Sequence, residues 1–580
     1  MTDFFEVHDR DGPARIGELR LTESLTTPAL VGDRLSDAGS LWPESRETPT
    51  GDSDSLTVLP HRALPAGTPD EVESAFAVDS PSIDGPSAAV ISSGTAAECG
   101  SDAYVLSDAQ GLVGHARAFV EGIVDVKNAI PDDTALYLPG VATPANVGLL
   151  AYAGVDLFDA DRVVVKGTQG KYLTSDGEQF LADLDELPCA CPACQQTREE
   201  FDREDCAAHN EHALAAQLAT VRGRIRRGRL RDYLEGQGRH EAWLTAALRR
   251  FDQQYAYLEA HAPVFRRNEL LAASEESLRR VEIQRFAERV TTRYRNRFSN
   301  PLVLVPCSAT KPYSESQSHG QFHDAIQFRA HTVSMTSPIG VVPQELECTY
   351  PAQHYDSVVT GEWSAGEVEF VSSVLEAYLA RNDYPRVVAH VPAEYRQITE
   401  RVEESMGIEF EYTVRDHPTT SESLSNLAGA LDGELKYAKR EREHNTVRAL
   451  ADYQFGPAAG DDLFTDITVE GRYPKLRVHD DEHLATMVPQ YGTLAFTLAG
   501  ARRWVDSDAP VKIVEIDEFV PHGSVLAPGI VGADERIRVG DEVVVRGPKA
   551  FAVGRATMNG RAMAGSSRGV AVDVRHVEER

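Results

Sequence analysis

Three cysteines fall within six residues, Cys189, Cys191 and Cys194, and His209 follows fifteen positions after the last of them. This crowding constrains local structure more than any other feature of the chain. Thiolates are soft anions that bind zinc tightly, and three in one short loop close half of a tetrahedron at little cost in loop entropy. His209 is expected to complete the set, with Cys206 and His212 as the other available ligands. An iron–sulfur cluster fits less well, because the C-x-C-x2-C spacing lacks the usual C-x2-C start. Zinc held by four protein ligands has no open position, so its work would be structural rather than catalytic. Seven cysteines in 580 residues do not make a disulfide framework, which points to a reducing compartment.

A chain of 580 residues should divide into about four domains. Its 42% hydrophobic and 26% charged residues exclude global disorder. The net charge of −32 excludes less. Only nine of the 58 basic residues are lysine, an acidic, lysine-poor balance that resembles proteins of salt-loving archaea. At molar salt the Debye length falls to roughly 3 Å, so an acidic sum does not exclude a nucleic-acid partner. The segment MTDFFEVHDRDGPARIG has neither a basic nor an apolar leader, and no window reaches about 18 uncharged apolar residues. A cytoplasmic protein with no membrane partner is expected.

The patterning predicts a multidomain α/β plus all-β fold. Short β-like runs fill residues 1 to 32, and a stretch rich in Ser, Asp, Pro, Thr and Gly then reads as loop to about 85. From 86 to 188 apolar runs such as AAVIS and DRVVVKG alternate with helical pieces such as ANVGLLAYAG, the rhythm of βα units and a barrel fragment. Residues 1 to 210, zinc site included, form the first expected domain. His209 is expected to open the helix of the next, an Arg-rich helical segment over 211 to 297 in which Leu214, Leu218, Val221 and Ile225 mark one apolar face. Six of the ten residues from Arg222 to Arg231 are arginine, a candidate phosphate-binding surface inside an otherwise acidic chain. A central α/β domain is expected over 298 to 435, with strands PLVLVPC, PIGVVP and RVVAHVP and the helix WSAGEVEFVSSVLEAYLARN. Residues 436 to 508 read as a mixed α/β domain containing the acidic turn FGPAAGDDLF, and 509 to 580 as a small all-β barrel.

The loop after PLVLV concentrates a thiol, an amine, a phenol, hydroxyls and an imidazole between Pro306 and His319. Loops leaving the C-terminal ends of parallel strands are where α/β folds hold ligands. Cys307 is a candidate nucleophile, Lys311 a candidate stabiliser of developing negative charge, and Tyr313, Ser316 and His319 candidate proton-handling or positioning groups. Composition alone equally allows Cys307 to be a small buried residue at a strand end.

Three stretches carry resemblances. GVDLFDADRVVVKGTQGKYLTSDGEQFLADLDELPCACPAC, followed by HN, resembles the last barrel strands and zinc site of tRNA-guanine transglycosylases, which implies a (β/α)8-type barrel, here truncated or degenerate. The resemblance makes Asp159 the match of the carboxylate that attacks ribose, now a candidate substrate-binding residue. The family's Asp-Ser-Gly motif is matched only by Ser92-Ser93-Gly94, which lacks the second carboxylate. Pro306, Cys307, Lys311, Pro312, Tyr313, Ser316 and His319 fit the pattern P-C-x3-K-P-Y-x2-S-x2-H of archaeosine synthases, the archaeal paralogues of the transglycosylases. The final strands, with GSVLAPGIV and GDEVVV, resemble a PUA domain, an RNA-binding pseudo-barrel in which Arg546, Lys549 and Arg568 are candidate contacts.

The resemblance implies a transferase acting on tRNA that carries 7-cyano-7-deazaguanine (preQ0) in the D-arm. Such an enzyme adds an amine to the nitrile, with lysine through its ε-amino group as donor, or glutamine or ammonia in the alternative. A separate radical S-adenosylmethionine partner enzyme would cleave the lysine adduct, because this chain has no C-x3-C-x2-C motif. Base exchange and non-catalytic tRNA binding are the competing readings, and monomer or homodimer stays open.

Overall fold

A computed structural model describes residues 2–37, 50–61, 68–75 and 81–580. The chain divides into two compact units, one of residues 1–263, 526–538 and 558–571, the other of 264–525, 539–557 and 572–580. Among the described residues no helix is long and apolar enough to cross a membrane.

The first unit opens with an antiparallel sheet of Phe5–Asp11, Ala14–Leu19 and Leu25–Thr27. A second sheet of seven parallel strands follows. Its strands Leu35–Asp37, Leu56–Val58, Ser87–Ile91, Ala103–Leu106, Ala135–Tyr137 and Leu157–Phe158 pair in chain order, and Leu157–Phe158 then pairs with Ala29–Leu30. Hydrogen bonding of an early strand to the last one is the connectivity of a barrel, with seven described strands where the full (β/α)8 form has eight. Among the described residues the barrel is thus incomplete. Leu56, Ala88, Ala103, Ala135 and Leu157 each come from a different strand and share one buried cluster.

Three expectations need correction here. The polar stretch to 85 contains the strands Leu35–Asp37 and Leu56–Val58 and the helix Asp70–Ala75; within it, the loop reading at 38–49, 62–67 and 76–80 lies outside the described residues. DRVVVKG is not a strand but the helix Asp161–Thr168. Its valines favour strand, yet only Val163 of the three is buried while Val165 is 52% exposed, a one-sided burial that suits a surface helix. The following helix begins at Arg203 rather than His209, because Asp202 caps it: its carboxylate accepts the Glu204 and Asp205 amides at 2.8 and 3.1 Å, and Asp205 returns the bond. This helix, Arg203–Arg226, runs through the boundary expected at 210, and Leu214, Leu218, Val221 and Ile225 are buried along it as expected.

The second unit is built on a five-stranded sheet in the order Gly340–Pro343, His331–Thr336, Leu302–Pro306, Val387–Ala389, Phe410–Tyr412, parallel except for the first pair. PLVLVPC, PIGVVP and RVVAHVP all supply strands of it, and WSAGEVEFVSSVLEAYLARN supplies the helix Ala365–Arg381. Val303, Val305 and Val388 on one face pack under the helices Gln317–Ile326 and Ser421–Ala430; Leu302, Leu304 and Ala389 on the other join a larger core. That core continues through the helix Lys439–Phe455 into a four-stranded antiparallel sheet of Thr468–Arg472, Lys475–Asp480, Glu482–Val488 and Thr493–Phe496. FGPAAGDDLF is not only a turn, since Ala459–Leu463 forms a helix after Ala458 at φ +68°. The terminal strands Ile513–Ile516, Glu542–Arg546, Ala550–Ala556 and Val570–Glu579 pair successively, as the small-barrel reading expects.

Candidate functional site

In the first unit Cys189, Cys191, Cys194 and His209 bring their ligand atoms within 4.8 Å of one another. His209 Nδ1 lies 3.5 Å from Cys191 Sγ and 3.3 Å from Cys194 Sγ. Its Nε2–H donates to the Leu173 carbonyl at 2.9 Å, which leaves Nδ1 as the lone-pair nitrogen facing the thiols. Tyr172 stacks on the imidazole at 3.7 Å, and burial holds His209 below its ordinary pKa, in the neutral form a metal requires. Asn210 locks the same helix to the Lys171–Thr174 strand: its oxygen accepts the Leu173 amide at 2.8 Å and its nitrogen donates to Val163 and Lys171 carbonyls at 3.0 and 2.9 Å. The two other ligand candidates fall away, since Cys206 is buried outside the cluster and His212 is exposed. The donor set fits a tetrahedral divalent metal ion.

Asp159 stands just beyond the C-terminal end of the last barrel strand, the end at which such barrels place their chemistry. It is 8% exposed. One carboxylate oxygen accepts the Tyr137 hydroxyl at 2.9 Å and the Gly140 amide at 2.6 Å, and the other accepts the Asp161 amide at 2.9 Å. Around the Ser92-Ser93-Gly94 turn stands a carboxylate that motif reading missed: Asp108, which accepts the Ser93 hydroxyl at 2.5 Å and the Ser93 amide at 3.2 Å. It lies on the neighbouring strand's loop, so no local motif could reveal it.

In the second unit Cys307 leaves the C-terminal end of Leu302–Pro306, and the strand order reverses between this strand and Val387–Ala389. A crevice at such a reversal is the usual ligand position of an open α/β sheet. Cys307 Sγ lies 3.5 Å from the Tyr395 hydroxyl, which comes from the other side of that crevice. The thiol opens on a cavity of about 140 Å³ that also contains Trp363, Tyr395 and the carboxylates of Glu362, Glu367 and Glu394. Trp363 and Tyr395 meet edge to face at 4.8 Å, and Val358 and Val359 on the cavity wall are 59% and 89% exposed.

The remaining loop residues divide by role. The Lys311 ammonium sits 4.0 Å over the Tyr355 ring, and burial lowers its pKa against the opposing pull of Cys307, Asp356 and Glu269. Tyr313 is buried, its hydroxyl 2.7 Å from that of Tyr355, which in turn meets Thr336 at 2.7 Å. Ser316 caps the helix Gln317–Ile326, accepting the His319 amide at 3.2 Å. His319 Nε2–H donates to the Pro306 carbonyl at 3.0 Å, and burial brings its pKa down to about 4. Tyr313 and His319 line a second cavity of about 190 Å³, whereas Cys307 lines the first. Tyr355 and Tyr395 were not legible as site residues, because only the tertiary fold brings them to the loop.

The Arg222 to Arg231 stretch is not one solvent-facing surface. Arg231 is buried between Glu235 and Asp252, Arg229 pairs with Asp232, and Arg222 reaches the Pro28 carbonyl; Arg226 and Arg227 are exposed. The terminal-domain candidates each face a carboxylate, Arg546 at 3.1 Å from Glu515, Lys549 at 3.6 Å from Glu518 and Arg568 at 3.4 Å from Asp3.

Family models match this layout. Residues 91–241 match Queuine tRNA-ribosyltransferase, 445–510 the patch-forming domain C2 of tRNA-guanine transglycosylase and 514–577 the PUA domain. Residues 283–431, which hold Cys307, match a domain of unknown function, DUF5591. The class is thus a transglycosylase-type chain carrying a further central domain. Archaeosine synthase of Haloferax volcanii is 66% identical over 100% of each chain, and archaeosine synthase subunit alpha of Methanosarcina acetivorans 43% identical over 100% of each. The tRNA-guanine(15) transglycosylase of Methanothermobacter thermautotrophicus is 27% identical, covering 79% of this chain and 68% of that one. The chain belongs to the archaeosine synthase family.

Proposed function

We propose that this protein modifies tRNA in archaeosine synthesis by adding a primary amine to the nitrile of a preQ0 base, and that Cys307 is the nucleophile. The observation that carries this reading is a thiol at the sheet's topological switch point, opening on a cavity with aromatic and acidic walls. A deazaguanine ring presents N–H donors along one edge and a π face. Glu362 and Glu394 offer acceptors for the first, and Trp363 and Tyr395 offer surfaces for the second.

The thiolate adds to the nitrile carbon, forming a C–S bond while one C–N π bond opens, and the nitrogen takes a proton. The neutral amine then adds to the same carbon, the C–S bond breaks, and the thiolate leaves with an amidine as product. Two easier additions replace one hard one, and no oxidant or reductant enters. Lys311, held near the thiol and above Tyr355, is suited to stabilise charge on the nitrile nitrogen. Tyr395 sits within reach of the sulfur to exchange its proton. His319 and Ser316 act in this reading as positioning residues for the loop. Lysine is the donor, with glutamine or ammonia as the alternative, and a separate radical S-adenosylmethionine enzyme releases archaeosine from the lysine adduct.

Zinc is the metal that Cys189, Cys191, Cys194 and His209 would hold, as a structural ion with all four positions filled. Base exchange is disfavoured because both oxygens of Asp159 are taken, by three donors in all. The test is mass spectrometry of nucleosides from preQ0-tRNA incubated with the protein, lysine and molar KCl. A nucleoside heavier by one lysine is expected, and Cys307→Ser should lower its single-turnover rate by about 100-fold or more. Full activity in Cys307→Ser would remove the covalent step; unchanged preQ0 with lysine, glutamine and ammonium alike would remove amine addition.

A further inference from the structure

The second cavity, of about 190 Å³, lies on the other flank of the loop, and the thiol chemistry makes no use of it. It holds two charges of opposite sign. Arg442, on the helix Lys439–Phe455, points its guanidinium over the Tyr473 ring at 5.4 Å. Among the described residues that guanidinium has neither a hydrogen bond nor an ion pair. Glu347 is 4% exposed; one oxygen accepts the Tyr473 hydroxyl at 2.9 Å and the other the Ser314 amide at 2.8 Å. Both charges therefore contact the same tyrosine, but they are not paired with each other.

Arg442 acts on the Glu347 carboxyl through space but bonds no anion, so its N–H groups are left for solvent or a ligand to meet. Burial raises the Glu347 carboxyl above its ordinary range, so a second cation beside it would be welcome. Among the described residues that line the cavity no other charge competes, since burial lowers the pKa of both His319 and His323 and favours their neutral imidazoles. Phe322, Ile326 and Val342 give the cavity apolar surface, beside the polar side chains of Thr332, Ser334 and Gln344.

One small-molecule class carries a carboxylate and an ammonium on a single carbon, with a side chain extending from it. We propose that this cavity binds the head group of a free α-amino acid, its carboxylate on Arg442 and its ammonium at Glu347, and so is the donor's site. The assignment of a donor rests on the amine-addition reading above. A simple amine or ammonium ion would satisfy Glu347 and leave Arg442 bare, so the cavity selects an amino acid over either.

Equilibrium dialysis of labelled L-lysine against the full-length protein, with and without preQ0-tRNA, tests this. 1,5-Diaminopentane, which has the same chain but no carboxylate, serves as competitor. Arg442→Gln should weaken lysine binding at least tenfold and leave diaminopentane unaffected, while Arg440→Gln, at an exposed position two residues away, should change neither. Equal lysine affinity in wild type and Arg442→Gln, or no lysine binding by wild type in either condition, would overturn the site. Adduct formation is scored separately on the same proteins. If Arg442→Gln binds lysine and forms adduct like wild type, amine addition stands and this site falls. If wild type binds lysine through Arg442 yet forms no adduct, the amino-acid site stands and the amine-addition reading falls.

Discussion

Arg231 is 6% exposed and grips both oxygens of Asp252 at 2.6 and 3.0 Å while its Nε bonds Glu235 at 2.9 Å. Arg226 and Arg227, a few positions earlier, are exposed. A run of arginines that composition cannot tell apart thus contains buried and exposed guanidinium groups side by side. Removing Arg231 breaks its ion pairs to two buried carboxylates, and breaking such a pair costs roughly 3–5 kcal/mol. Arg231→Ala should therefore lower the urea midpoint of the first unit sharply. The double variant Arg226→Ala, Arg227→Ala should keep that midpoint but weaken tRNA binding, with the slope of log affinity against log salt reduced by about 2 if both contact phosphate. An unchanged salt slope would remove these two residues from the RNA surface.

At the scale of elements, His209 and Asn210 are consecutive on one helix, and both reach the same strand, His209 through Leu173's carbonyl and Asn210 through Leu173's amide. Asn210→Ala removes three hydrogen bonds to the backbone of Val163, Lys171 and Leu173, at roughly 0.5–1.5 kcal/mol each. It should also speed zinc release to a metallochromic chelator, because the Leu173 strand that orients His209 is no longer held; unaltered release would show that His209 needs no such support. The cysteine spacing made the candidate metal cluster legible, and strand-then-loop patterning made the Cys307 loop legible. Asn210 carried no signal beyond standing next to a histidine, since its three bonds reach back 37 to 47 residues. DRVVVKG misled because three valines outweigh, in propensity, the close packing that decides the matter: a Cβ on Gly167 would stand 2.3 Å from the Ala207 Cα. Tyr395 and Arg442 reach the Cys307 loop only through the topology of the second unit, which neither period nor spacing encodes.

For the molecule as a whole, buried imidazoles set the acid limit. Burial holds His261 of the first unit and His319 and His390 of the second at about 4. An unfolded histidine binds its proton near pH 6.5, so below that pH the unfolded chain takes up protons that the folded chain refuses. The stability these groups contribute is complete above about 6.5 and is lost as pH falls toward 4, by ~3 kcal/mol for a fully buried ring. Calorimetric Tm values at constant salt should fall through that window, and His390→Asn should flatten the slope of the second unit; an identical slope would exclude His390. The helix Arg203–Arg226 adds a coupling of another kind. It carries His209 of the candidate metal cluster in its first third and Arg226 at its end, a rod of about 25 Å between them. If its far end binds phosphate and the order of that end depends on the metal, metal and RNA are thermodynamically linked, and each helps to retain the other. A chelator would then behave as an antagonist of tRNA without touching the RNA-binding face, and bound tRNA would slow the loss of zinc.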